Sequence, residues 1–300
     1  MQNENSEQHD RLLSEIKKCY RKFTQENSFG YCESTFTVDH NPYQELEVAH
    51  RDFKRDVLQY ISEIPHRKIN IVADIGSGFG HWAMGMGKYF QKVYGIESDQ
   101  KCIQIAKLQK QLHNAENVEF ISGKAEAVPL EDESVDFIFF NQVVEHVESV
   151  AKSLDECQRI LRPDGLLYLA TGNYLWIRER HYNMAMLPLM PKWLFRIWAK
   201  IRGKNPDFIN HINYITPRAL DRQLVSRGLL VQKNICESLI EDILQGKEAL
   251  PDRYRSLRHI LQMYTLPFLH PILAQLKWWV VYKIGFYPVI ILIAKKHATS

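Results

Sequence analysis

The sequence predicts an α/β protein whose mostly parallel sheet is covered by helices on both faces. Three observations predict it. Between Ile69 and Thr171, short apolar runs alternate with helical stretches, the order that builds parallel sheets. Those runs are almost continuously apolar, as strands buried on both faces must be. The first run ends in the glycines Gly76, Gly78 and Gly80, which suit a tight turn between a strand and a helix N-terminus, where such sheets bind nucleotides.

The elements follow in order. Residues 1–10 are polar and expected to be disordered. Leu12, Leu13, Ile16 and Tyr20, then Phe53, Val57, Leu58 and Ile61, recur at helical spacing before Pro65 stops the run. Residues 1–66 are therefore expected to form a helical N-terminal region that acts as a lid. Strands are expected at Ile69–Ile75, Lys92–Ile96, Val118–Ser122, Val135–Phe140 and Leu166–Thr171, with helices at Trp82–Phe90, Gln100–Leu112 and Val147–Leu161. The remainder, 67–300, reads as the main domain. It holds helical insertions at about 174–221 and 238–285 around two late strands, Leu229–Ile235 and Tyr287–Ala294.

Composition narrows the class. The 300 residues are 45% hydrophobic and 24% charged, with a formal net charge of +3. That is an ordinary globular balance, and the charge alone does not point to nucleic acid. The five cysteines form no CxxC pair, so reduced thiols and a cytoplasmic setting are expected. The start, MQNENSEQHDR, has no apolar core of a secretory leader. The apolar stretch Ile284–Ala294 is about half the length a spanning helix needs, and its Gly285, Tyr287 and Pro288 suit the start of a strand.

The glycine spacing is informative. A dinucleotide fingerprint needs its third glycine where this chain has His81, which disfavours a nicotinamide oxidoreductase. Glu97 directly follows the second strand, about twenty residues past the loop, where an acidic side chain can accept from ribose hydroxyls.

In order, ADIGSGFG, GIESD, SGKAEAVPLEDESVDFIFFNQVVEHV and LDECQRILRPDGLLYLAT resemble the motifs of class I S-adenosylmethionine-dependent methyltransferases, over about residues 70–172. The resemblance implies a Rossmann-like, seven-stranded sheet with an antiparallel last strand, for which YPVIILIAKK is the candidate, and S-adenosylmethionine as cofactor. It places Asp74 near the methionine ammonium and Gly76, Ser77, Gly78 and Gly80 around the methionine moiety. Glu97, with Ser98 beside it, holds the ribose, Ala125 and Glu126 line the adenine, and Asn141 lies beside the sulfonium. Arg162–Gly165 form the turn before the fifth strand. Such a site catalyses largely by positioning donor and acceptor.

The acceptor side is less determined. Glu145 and His146 follow the fourth strand, and His146 suits general-base work because its pKa lies near working pH; packing under the next helix is the other reading. A ubiquinone-biosynthesis subset of O-methyltransferases resembles this segment and binds a divalent metal there, but this chain has the amide Gln142 where those carry an acid. One lost charge weakens a hard-cation site, so no metal is expected. Residues Arg178–Ile215 are expected to form an acceptor lid. Its segment from His181 to Pro206 has five basic residues and no acidic one. Pro191 opens a helix there. Leu194, Ile197, Trp198 and Ile201 form one stripe of it, and Arg196, Lys200 and Lys204 another. This helix either packs on the sheet with solvated lysines or meets a membrane surface or anionic substrate. His181, His211 and Tyr214 are the candidate acceptor contacts; they could equally hold the lid.

The functional expectation is methyl transfer to a small-molecule, sugar or lipid-linked acceptor, chiefly at oxygen, with a peripheral membrane contact left open. Two rivals are a catalytically idle subunit of the same fold, which an intact glycine loop opposes, and an RNA or protein methyltransferase. The second lacks both an RNA-binding appendage and an Asn-Pro-Pro-Tyr-type motif after the fourth strand.

Overall fold

A computed structural model describes residues 2–26, 41–244, 284–285 and 287–297, without the side chains of 2–6, 24–26 and 242–244. At its centre is a seven-stranded sheet of β1 (Ile71–Ile75), β2 (Lys92–Glu97), β3 (Val118–Ser122), β4 (Val135–Asn141), β5 (Leu161–Gly172), β8 (Leu229–Asn234) and β9 (Val289–Lys296). The spatial order is β3-β2-β1-β4-β5-β9-β8. β1 to β5 pair in parallel, and β9 runs antiparallel between β5 and β8. The expected antiparallel last strand is thus present, as is the parallel sheet.

The strand order reverses between β1 and β4. Right-handed crossovers then put α4 (His81–Met86) and α5 (Gln100–Leu112) on one face and α6 (Val150–Ile160) on the other. The reversal opens a crevice at the carboxyl ends of β1 and β4, where open α/β sheets take ligands. β4 is buried from Val135 to Phe140 and its core is aromatic: Phe139 stacks on Tyr168 with ring centroids 5.0 Å apart, and Phe53 meets Phe139 edge-on at 5.9 Å. The α5 start is fixed by Asp99, whose carboxylate accepts the Lys101 amide at 2.8 Å, and the α6 start by Ser149, whose hydroxyl accepts the Lys152 amide at 3.3 Å.

Two N-terminal elements cover this domain. α1 (Gln2–Glu26) lays Ile16, Tyr20 and Phe23 against Phe79, Cys102, Ile105 and Leu112. α2 (Pro42–Phe53) continues through a π turn at Lys54–Leu58 into α3 (Gln59–Ser62) and packs on α4. Of the first ten residues, expected to be disordered, those from Gln2 onward belong to α1, because Ile16, Tyr20 and Phe23 anchor the helix that they extend.

Several expectations need correction. The helix after the glycine loop stops at Met86, and the one after β4 starts at Val150. Residues 143–149 instead make a run of turns, which leaves them free to build a site. The expected turn Arg162–Gly165 is a bulge inside β5: Val135 pairs with Leu161 and Phe137 with Leu166, and Asp164 takes a φ of 61°. The segment after β5 contains a small hairpin of β6 (Arg178–Glu179) and β7 (Met184–Ala185) before α7 (Lys192–Ile201), a 3-10 turn at Asp207–His211, and α8 (Pro217–Val225). Pro191 caps α7 rather than opening it. The later excursion contributes α9 (Ile235–Leu244); the rest of it, 245–283, lies outside the described residues. Among the described residues, no helix is long and apolar enough to cross a membrane, and Cys19, Cys102, Cys157 and Cys236 form no disulfide with one another.

Candidate active site

The glycine loop is held by backbone. The Gly76 and Ser77 amides both donate to the Ile96 carbonyl, at 2.8 and 3.0 Å, and all three loop glycines have positive φ. A Cβ on Gly76 would lie 2.4 Å from Val143 Cγ2, whereas one on Gly78 would meet nothing within 4 Å. Gly76 is therefore needed for close packing, whereas the space beside Gly78 is open. Gly80 packs away from the opening, where a Cβ would fall 2.4 Å from Phe120 Cζ.

Glu97 joins the two strand ends. Its Oε2 accepts the Gly78 amide at 2.9 Å, and its Oε1 accepts the Ser98 and Asp99 amides at 2.7 and 2.9 Å. Oε2 has this single protein donor and retains a lone pair for another. The loop and Glu97 form one end of a cavity of about 520 Å³ that also reaches Ser98, Ala125, Glu126, Asn141, Gln142 and His146. Phe23 of α1 and Phe79 close it, with their rings edge-on at 5.2 Å. Glu126 borders the cavity, but its carboxylate accepts the Glu148 and Ser149 amides at 2.6 and 3.2 Å, so its charge caps the start of α6.

Asp74 and Ser77 do not line the cavity. Both are buried, and Asp74 Oδ2 and Ser77 Oγ have no hydrogen-bond partner. Burial first, and then the neighbouring Glu97 charge, push the Asp74 pKa up to about 8, against the opposing Ala83 amide. A buried orphan carboxylate oxygen beneath the glycine loop is what a cationic amine would satisfy. Together with the open space beside Gly78 and a spare lone pair on Glu97, it fits a ligand bearing an ammonium and a ribose.

At the Asn141 end, tertiary structure adds residues that sequence did not connect. His146 Nε2 lies 3.2 Å from His181 Nε2, and His181 Nδ1 lies 2.6 Å from Glu179 Oε1. Glu179 is buried and also accepts the Tyr182 amide at 2.7 Å. Phe208 flanks both imidazoles. The His146 ring is solvent-accessible, yet the protein crowded around it, and then His181, hold its pKa down to about 4; Glu179 opposes this. Glu145 is buried beneath, accepting the Thr171 hydroxyl at 2.9 Å, and burial raises its pKa. The amide at 142 argues against a metal, but ligand atoms of Glu145, His146 and His181 lie within 4.8 Å of one another.

A neighbouring cavity of about 330 Å³ shares Asn141 and Gln142 with the first and is walled by Tyr168, Trp176, Arg178, Arg180 and Ile291. Arg180 donates to Gln142 Oε1 at 3.1 Å. Tyr214 borders a small cleft with His181; it stacks on Tyr174 at 4.2 Å, and its buried hydroxyl has no partner. His211 is exposed on the 3-10 turn and lines none of these cavities. Asn213 ties the segment after β5 to the turns after β4: its amide donates to the Glu145 carbonyl at 2.6 Å and its side chain to the Val147 carbonyl at 2.7 Å. Glu179 and Phe23 were absent from the sequence reading. A carboxylate two residues before a histidine is no signal by itself, and only packing carries Phe23 to the cavity.

Residues 73–169 match a family model described as a methyltransferase domain. An uncharacterized methyltransferase of Bacillus subtilis, YcgJ, is 30% identical over 137 residues, which are 44% of this chain and 54% of that protein. The ubiquinone biosynthesis O-methyltransferase of Bartonella tribocorum is 32% identical over 125 residues, 42% of this chain and 49% of that one. The crystal structure of YcgJ superposes with a TM-score of 0.51 at 20% identity, covering 82% of this chain and 100% of its own. Geranyl diphosphate methyltransferase in complex with SAM gives 0.51 at 16%, covering 85% and 90%. Similarity at that level concerns the fold. The chain spans about half the length of the curated relatives it matches.

Proposed function

We propose that this chain, which carries an S-adenosylmethionine-dependent methyltransferase domain at residues 73–169, methylates a hydroxyl oxygen of a small or lipid-linked acceptor. When bound, S-adenosylmethionine supplies a methyl group activated by its sulfonium. Asp74, the glycine loop and Glu97 are the residues that would hold it, for the reasons of fit given above. Asn141 lies at the wall between the cofactor cavity and the Trp176–Arg178–Arg180 cavity, so the second cavity is the reading for the acceptor.

The observation that carries the oxygen chemistry is the line Glu179–His181–His146. His181 donates from Nδ1 to Glu179, which leaves its Nε2 as a lone pair; His146 then donates from Nε2, and its Nδ1 becomes the free base. With a pKa near 4, His146 is neutral at working pH and able to take the acceptor's hydroxyl proton. The positive charge it gains is opposed by His181 and met by the Glu179 carboxylate behind it. Arg180, held by Gln142, places a fixed cation at the acceptor mouth. Support for oxygen as the methylated atom also comes from relatives described as O-methyltransferases.

The test is titration with S-adenosylhomocysteine, with NAD as control, followed by transfer of a labelled methyl group to a panel of hydroxylated aromatics and lipids. Binding of the former alone and base-stable label on oxygen support the reading. Label on nitrogen in wild-type protein, or equal turnover in His146→Ala, overturns the oxygen chemistry.

A further inference from the structure

Seven of the ten residues of α7 are apolar, with Lys192, Arg196 and Lys200 on one side of it, and the fold buries only part of the apolar surface. Phe195 and Ala199 are fully buried, in a small core with Met184, Met186 and Ile209. This core belongs to the segment after β5 and not to the main sheet, which corrects the expectation that one stripe of Leu194, Ile197, Trp198 and Ile201 packs inward. Ile197 and Ile201 point out, 48% and 71% exposed, in line with Trp193 at 63%. These three are spaced four apart and run along about 12 Å of one helix face. On the loop leading into α7, Leu187 and Leu189 are 68% and 56% exposed. Leu189 has a φ of 57°, a left-handed conformation that a bulky side chain adopts only at a cost. Burying these apolar groups is worth far more than solvating them.

The charges around the stripe identify what covers it. At 100° per residue Lys200 borders the Trp193–Ile197 edge, and exposed Arg202 and Lys204 follow the last turn. The whole span from His181 to Pro206 carries no carboxylate. A protein partner of ordinary mixed charge would be met by both signs; here Lys200, Arg202 and Lys204 border aliphatic groups and a tryptophan, with Asp207 just beyond them paired to Arg196, and this predominantly cationic border matches a sheet of anionic headgroups over hydrocarbon.

We propose that α7 is an interfacial anchor that lies in the plane of an anionic bilayer, with Trp193, Ile197, Ile201, Leu187 and Leu189 below the headgroups and Lys200, Arg202 and Lys204 among them. Phe208, on the 3-10 turn that follows α7, touches both His146 and His181. The anchored segment therefore borders the histidine pair, and, on the reading proposed above, a lipid-borne acceptor would approach the base from the bilayer side.

The test is co-sedimentation of the full chain with vesicles of phosphatidylcholine alone or mixed equally with phosphatidylglycerol. Mixed vesicles should bind and neutral ones should not. Binding should weaken at about 1 M salt, where screening acts within about 3 Å. The triple variant Trp193→Ser, Ile197→Ser, Ile201→Ser should lose at least about tenfold in partitioning, while its S-adenosylhomocysteine affinity and melting temperature stay those of wild type; Lys200→Glu with Lys204→Glu should abolish the preference for anionic lipid. Failure of wild-type protein to sediment with mixed vesicles overturns the proposal. So does a triple variant that still binds them, or a concentration-dependent dimer that the triple variant abolishes, which would assign the face to a second copy. None of these outcomes depends on methyl transfer.

Discussion

His146 and His181 face each other Nε2 to Nε2 at 3.2 Å, and one of the two must donate. Glu179 decides which, because its carboxylate 2.6 Å from His181 Nδ1 fixes the proton there. The pair is thus a directed line rather than two independent side chains.

The first prediction is a pH profile. His146 is driven down to about 4 by crowding and by His181, from an ordinary value of about 6.5. The free base is the competent form and exists above the pKa. The acid limb of kcat/KM should therefore fall near pH 4 to 5, leaving the rate flat through pH 6.5 where an ordinary histidine would titrate. His146→Ala should lower kcat by roughly 10²-fold or more with unchanged S-adenosylhomocysteine affinity. An acid limb at 6.5, or turnover near wild type in the variant, removes His146 as the base.

Cofactor binding should release a proton. Burial and Glu97 hold the Asp74 pKa at about 8, so at pH 7 the ligand-free carboxyl is mostly protonated. An ammonium placed against its orphan oxygen favours the carboxylate and expels that proton. Calorimetry of S-adenosylhomocysteine binding in buffers of different ionisation enthalpy should report close to one proton released at pH 7, and close to none in Asp74→Asn. Stability obeys the same linkage: a carboxyl whose folded pKa lies above its unfolded one stabilises the ligand-free fold at low pH and loses that contribution as pH rises toward 8.

Zn²⁺ should inhibit. Glu145, His146 and His181 bring ligand atoms within 4.8 Å of one another, and imidazole nitrogens with a carboxylate suit that ion. Nitrogens held by a metal cannot take a proton, so micromolar Zn²⁺ should suppress turnover, EDTA should restore it, and His181→Ala should be markedly less sensitive. Activity that collapses in EDTA instead would mean the trio holds a required ion.

Asp136 should be the most costly charge to remove outside the site. It is fully buried, accepts the Asn70 and Ile71 amides at 2.9 Å each, and pairs with Arg67 and Arg162 at 2.8 and 3.0 Å. Burial alone would raise its pKa, but the two amides and Arg162 outweigh it and hold the pKa below the usual range. Its stabilisation is present above the ordinary carboxylate pKa and fades as pH falls through the depressed value. Asp136→Asn should destabilise by about 2 to 3 kcal/mol, read by urea unfolding at pH 7; a change below about 0.5 kcal/mol would count against the buried cluster.

The strands were legible because a parallel strand buried on both faces must be apolar throughout, as β4 is from Val135 to Phe140. The glycine loop and Glu97 were legible because their roles are set by backbone conformation and a local turn. What sequence could not reach depends on distance in space. Leu194, Ile197, Trp198 and Ile201 form one stripe on a helical wheel, yet the fold splits it, because Phe195 and Ala199 take the inner face. His146 and His181 are polar residues in separate turns until Asn213 pins the segment after β5 to the Glu145 and Val147 carbonyls. The RPDG segment reads as a free turn, but pairing on either side of it makes it a bulge.

The placement of β9 has a consequence for how the molecule assembles. This strand is hydrogen-bonded on both sides, to β5 and to β8, although β5 precedes it by most of the second half of the chain. Until Val289–Lys296 arrive, β5 and β8 are both open edges, each displaying unpaired amides to any other extended segment. Closure is a non-local event that comes late and carries a heavy entropic toll. The half-assembled protein is thus most vulnerable to misassociation at a gap one strand wide, far from the cavity where its chemistry is performed.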